Sequence, residues 1–245
     1  MANDPSKRTP APADRSTPAA TSSRPEIEAF VQRARSLAPP VAPGERGRLI
    51  FALDATMSRQ PTWDEACRLQ ADMFQEAAAI GGLDVQLAYY RGLSECRASR
   101  FVSDARLLGD LMEKIACRGG HTQIGRILAH ARNETETKKV QALVFVGDAM
   151  EESLDDLCAS AGELGLLGVP AFMFQEGGDP VAERAFREIA RLTHGAYCRF
   201  DVGAAHQLRE LLRAAAAYAA GGIKALTDLS ARSGAGAQKL LAQMR

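Results

Sequence analysis

The chain has 245 residues, 46% of them hydrophobic, with 30 lysines and arginines against 30 aspartates and glutamates. That length suits one substantial core with terminal extensions, and a formal net charge of zero gives no long-range attraction to nucleic acid or an anionic membrane. Five cysteines, at 67, 96, 117, 158 and 198, form no C-x-x-C pair and no zinc-spaced set with histidine; with no apolar run near the roughly 18 residues of a membrane span, a cytoplasmic protein with reduced thiols is expected.

Residues 1–22 are rich in Pro, Ala, Ser and Thr and carry no large apolar residue after Met1. Such a segment cannot offset the entropy cost of ordering and is read as a disordered tail. Residues 23–44 read as a helix and a Pro-rich linker, with Ser23 as cap, Pro25 in the first turn, and Ile27, Phe30, Val31 and Ala34 on one face. A domain is expected over residues 45–221. Its first strand is the run Leu49-Ile50-Phe51-Ala52-Leu53, which stops in Asp54 and is followed by Thr56 and Ser58. Runs of this kind suit a parallel strand covered on both faces, whose carboxyl end borders a ligand crevice.

Beyond Pro61, Leu69, Met73, Ala77 and Ile80 recur at helical spacing up to Gly81-Gly82. Trp63, at the start of this helix, is either a packing residue or part of a contact surface. Residues 84–91 predict a second strand, with Tyr89 and Tyr90 facing opposite layers, and 94–103 a short edge strand. Leu107, Leu108, Leu111, Met112 and Ile115 mark a helix closing at Gly119-Gly120. His121-Thr122 opens the next, with Ile124, Ile127, Leu128 and Ala131 on its buried side.

Residues 140–147 form a second strongly apolar strand, and it too ends in an aspartate, Asp148. Glu151 and Glu152 read as residues of a first helical turn, favoured there by the helix dipole. A helix over 154–164, a strand over 169–175, a helix over 180–192, a strand over 196–200 and a helix from about 204 to 219 follow. Gly221-Gly222 ends the regular part and leaves residues 222–245 as a tail able to form a short helix. The fold class is α/β: a doubly wound, mostly parallel six-stranded sheet with helices on both faces and one short antiparallel edge strand.

Three strand-end loops then hold oxygen groups: Asp54, Thr56 and Ser58 in the first, Thr122 after Gly119-Gly120, and Asp148 in the third. Two carboxylates and three hydroxyls suit a hard divalent cation with about six ligands, Mg2+ by default and Mn2+ as substitute. The pattern resembles the von Willebrand factor A domain, whose metal-ion-dependent adhesion site has an Asp-x-Ser-x-Ser loop, a threonine in a Gly-rich loop and an aspartate after a hydrophobic strand. The resemblance spans about residues 48–219. It implies that Thr56, Ser58 and Thr122 touch the metal directly, that Asp54 and Asp148 act largely through water, and that one position stays open for an Asp or Glu of a partner protein. Thr56 stands where serine is usual, His121 where glycine is common, Gln123 where aspartate is frequent, and Gly147-Asp148-Ala149 replaces the usual Thr-Asp-Gly; every oxygen ligand is retained.

Alone, Asp-x-Thr-x-Ser after a strand suits a capped turn; with Thr122 and Asp148 in the family's order, the metal site is favoured. His121 is set aside as a solvated loop residue. With histidines only at 121, 130, 194 and 206, no nucleophile is paired with a base, so the leading reading is a non-enzymatic, metal-dependent protein-binding module. One alternative is a Mg2+-dependent haloacid-dehalogenase-like phosphohydrolase with Asp54 as nucleophile, weakened because Thr56 cannot serve as its acid and base. Another is a scaffold of the same fold without bound metal. Ala and Arg usage suits a GC-rich bacterium, and the resemblance to bacterial cytoplasmic members implies an ATP-driven remodelling enzyme as one class of partner.

Overall fold

β1 (Gly47–Asp54) is buried along its whole length. Leu49, Phe51 and Leu53 enter one apolar layer while Ile50 and Ala52 enter another, the period-two division of a strand sandwiched between helices. In this computed structural model the described residues are 45–78, 81–201, 204–232 and 235–244. The expectations for 1–22 and 23–44, and for Ile80, lie outside them.

β2 (Leu83–Arg91) runs parallel to β1 on one side, and β3 (Glu95–Ala98) adds an antiparallel edge to β2. On the other side β4 (Ala142–Gly147), β5 (Ala171–Glu176) and β6 (Ala196–Phe200) follow in parallel, giving the order β3-β2-β1-β4-β5-β6. The chain therefore winds outward in one direction from β1 and in the other from β4. The crevice between their carboxyl ends is the topological switch point, where open α/β sheets place ligands.

Helices α1 (Gln60–Ala78), α2 (Ala105–Met112), α6 (Ala205–Arg232) and α7 (Ala235–Gln243) pack on the Leu49 face. Helices α3 (Ile124–Thr137), α4 (Leu154–Leu166) and α5 (Pro180–Leu192) cover the Ile50 face. Ile124, Ile127, Leu128 and Ala131 are the buried positions of α3, as their spacing predicts. Tyr89 and Tyr90 do divide between layers: Trp63 meets Tyr89 edge-on and Phe145 stacks on Tyr90, each with ring centroids 6.1 Å apart. Trp63 is 2% exposed, which makes it a packing residue. Ile115 lies past the end of α2 but still packs against the same layer.

The described residues after Gly221-Gly222, expected as a tail able to form a short helix, are helical over 223–232 and Ala235–Gln243 and contribute to the core. Gly222 has φ +66°, a left-handed value that glycine adopts without a Cβ clash, and it kinks α6 where a stop was expected. Leu226, Leu229 and Leu240 beyond the kink are buried. Gln243 of α7 accepts from Tyr197 N at 2.8 Å and donates to Tyr197 O at 2.7 Å, so a side-chain amide covers the outer edge of β6 in place of a seventh strand.

Candidate metal centre

Asp54, Thr56 and Ser58 leave the end of β1 at the switch point, and Asp148 leaves the end of β4 beside them. Asp54 accepts from Thr56 N at 2.7 Å, an Asx-type turn that fixes the loop. The Thr56 and Ser58 hydroxyls are 3.3 Å apart, and Ser58 Oγ lies 3.4 Å from Asp148 Oδ2. Adjacent oxygens of an octahedral Mg2+ stand about 3 Å apart, given metal–oxygen distances of about 2.1 Å. The three side chains are thus spaced almost as neighbouring ligands.

Thr122 arrives from the loop before α3. That loop rests on the β2–β3 turn: a Cβ at Gly120 would collide with the Gly92 backbone, so only glycine fits the approach. Thr122 N donates to Glu151 Oε2 at 3.1 Å, and Thr122 Oγ1 accepts from Glu151 N at 3.0 Å. This reciprocal pair ties the Thr122 loop to the Asp148 loop. The described hydrogen bonds link Thr122 to Glu151 and not to Thr56, Ser58 or Asp148. Its hydroxyl keeps a second lone pair for a metal.

Glu151 and Glu152 do not sit in a first helical turn. α4 begins at Leu154, capped by Ser153, and the two glutamates precede it. Glu151 also meets His121 Nδ1 at 3.1 Å, and Glu152 accepts from Gly125 N at 3.1 and 3.2 Å, capping α3. Burial raises the Glu152 carboxyl, opposed by the amides of Gly125 and Ile124.

Two further residues belong to the site and were not singled out from the sequence. Arg59, in the short 3-10 turn Met57–Arg59, is 3% exposed; its guanidinium pairs with Glu176 at the end of β5, and the Thr62 hydroxyl donates to the same carboxylate. Its Nε stands 3.9 Å from Asp148 Oδ1. The rule that found Asp54 and Asp148, a carboxylate closing an apolar strand, also fits Glu176 after Ala171-Phe-Met-Phe-Gln. Arg59 had no such signal.

The chemistry of this set fits a cation. Asp54, Asp148 and Glu176 are three carboxyl groups gathered around one guanidinium. Burial raises the Asp54 carboxyl, with Thr56 bonds opposing and Asp148 adding to the rise. Tyr90, paired with Asp54 across β1 and β2, is fully buried, and burial together with the adjacent Asp54 carboxyl raises its phenol well above the ordinary value. No cluster of three or more His, Cys, Asp or Glu arranged for a metal occurs among the described residues; a set of two carboxylates and three hydroxyls is of a different kind.

No family model and no curated relative matches the chain. Solved structures do match. A von Willebrand factor type A protein from Catenulispora acidiphila aligns with a TM-score of 0.58 at 16% identity, over 72% of this chain and 43% of that one. The fold is that of a von Willebrand factor A domain. The same fold relates the chain to the vWF domain of the type V pili tip protein Mfa5 from Porphyromonas gingivalis, at TM-score 0.53 and 11% identity over 69% of this chain and 95% of that one. It also relates it to an aerotolerance-related membrane protein from Bacteroides fragilis, at TM-score 0.54 and 19% identity over 69% and 98%. Identities this low carry the von Willebrand factor A architecture alone. Among the described residues no helix is long and apolar enough to cross a membrane.

Proposed function

We propose that the chain is a metal-dependent protein-interaction module and not an enzyme, in which Asp54, Thr56, Ser58, Thr122 and Asp148 hold Mg2+, or Mn2+ in its place. A carboxylate of a partner protein completes the metal's coordination. The observation that carries this reading is the row of oxygens from Thr56 through Ser58 to Asp148, spaced at 3.3 and 3.4 Å at the switch point of the sheet. When bound, the cation supplies a positive, exchangeable position at the surface. The protein's own residues orient it: the Thr56 amide fixes Asp54, and Glu151 holds the Thr122 loop against the Asp148 loop.

The three hydroxyls are neutral, so a cation held mainly by them is incompletely compensated and favours an incoming Asp or Glu. Met57, between the two loop hydroxyls, is 61% exposed, and Leu93, beside the Gly92 carbonyl that accepts from His121 N, is 77% exposed. These side chains offer exposed apolar contact beside the first loop and beside the loop that carries Thr122. A pilus tip protein that shares the fold agrees with a role in protein contact. A bacterial cytoplasm, with an ATP-driven remodelling enzyme as partner, completes the reading and accords with five cysteines that are all free thiols.

The test is capture of a partner from native extract in Mg2+, in chelator, and with Thr122→Ala. A specific partner lost in both chelator and variant is expected, and its loss should be reproduced by neutralising one of its own acidic residues. A partner retained equally in all three arms contradicts the reading.

A further inference from the structure

Arg59 is a charge that ligand binding by itself does not require. It follows the last hydroxyl of the first loop, is 3% exposed, and is anchored through Glu176, which also receives the Thr62 hydroxyl. A guanidinium held in this way cannot turn outward to meet a partner. Its Nε has no hydrogen-bond partner among the described residues and faces Asp148 Oδ1 at 3.9 Å, while Asp148 Oδ2 lies 3.4 Å from Ser58 Oγ. One carboxylate thus stands between the candidate ligands and a buried N–H that lacks an acceptor.

We propose that Arg59 is the positioning residue that sets how tightly this site holds a divalent cation, drawing Asp148 toward its Nε–H and opposing the cation with its own charge. The inference rests on the metal reading above. An Arg59–Asp148 hydrogen bond at Oδ1 would orient the carboxylate and draw charge from Oδ2, the oxygen that faces Ser58. A fixed positive charge a few ångströms from a cation site repels a second cation, and the repulsion is strong where water is excluded. Glu176, bound to the guanidinium, offsets part of this, so Arg59 tunes the site without closing it. The cation is then held weakly at rest and more firmly once a partner carboxylate joins it, and by linkage the two bindings strengthen each other by the same factor.

The probe is magnesium chloride alone, with titration heat and melting temperature both read against its concentration. Wild type is compared with Arg59→Lys, which keeps the charge, and with Arg59→Met combined with Glu176→Gln, which removes both members of the buried ion pair together. The half-saturating concentration is expected to fall by at least about tenfold in the double variant and to stay within about threefold of wild type with lysine. Arg59→Gln, which keeps a donor toward Glu176 without the charge, carries the same expectation as the double variant should that one not fold. Saturation in wild type and charge-free variants at midpoints within about twofold overturns the role of Arg59 and leaves the metal reading standing. No saturable response in any of these proteins removes the metal reading and this inference with it.

Discussion

Asp54 ends a buried strand, is 3% exposed, and has its carboxyl raised above the ordinary 3.8 chiefly by burial. Without a cation its ionised form is therefore a cost to the fold. Asp54→Asn keeps the oxygen that accepts from Thr56 N and removes that cost. The variant is expected to melt above wild type in chelator at pH 7, and to lose the wild-type response to millimolar Mg2+, a rise on the order of 5 °C when Mg2+ is near 100 times its Kd. The sign of the pH dependence follows from the raised value. The folded state holds a proton that the unfolded state has released above 3.8, so stability contributed by the protonated group is lost as pH rises through the folded value. The wild-type deficit in chelator is therefore expected to be full above the folded value and to shrink as pH falls through it toward 3.8. A variant less stable than wild type in chelator, with the Mg2+ response intact, contradicts this account. At this scale the candidate ligands at strand ends stand out in the sequence because an apolar run closing in a carboxylate is a local pattern. The pairs that hold them, Thr122 with Glu151 and Arg59 with Glu176, join residues 29 and 117 positions apart, and no local pattern encodes such a pair.

Two elements begin and end at the residues expected from the sequence, α5 and β6. Asp179 caps α5 at Val181 N and Ala182 N with Pro180 in its first turn, both of which are sequence signals for a helix start. The last part of the chain was harder to read because Gly221-Gly222 has the composition of a stop, and only tertiary packing turns Gly222 into a kink. Leu240 on α7 is fully buried against the layer that also holds Leu208, Leu211 and Leu212 of α6. Leu240→Ala is expected to cost about 2–5 kcal/mol, a fall on the order of 5–15 °C in melting temperature for a domain of this size. Leu166→Ala, at a position 91% exposed, is the control and should change stability by less than about 0.5 kcal/mol. Equal and small effects at both positions, read by calorimetry in chelator, would show that α7 contributes nothing to the core.

For the whole molecule, the sheet order decides where chemistry can occur. β1 and β4 are adjacent, and their connections leave in opposite directions, so loops far apart in sequence meet at one crevice with two helical layers closing the sides. Alternating strands and helices with right-handed crossovers already implied a doubly wound parallel sheet; they could not convey that a buried guanidinium would share the crevice with the candidate ligands. The central claim is that the crevice holds a divalent cation, and the most direct measurement is an anomalous difference map from crystals grown with Mn2+. The account expects one strong peak bordered by the oxygens of Thr56, Ser58 and Asp148, at about 2.1 Å from those that bind it directly, and no peak there in Asp54→Asn crystals. A map from Mn2+-saturated wild type with no peak in the crevice, or with the cation seated elsewhere on the domain, would contradict it.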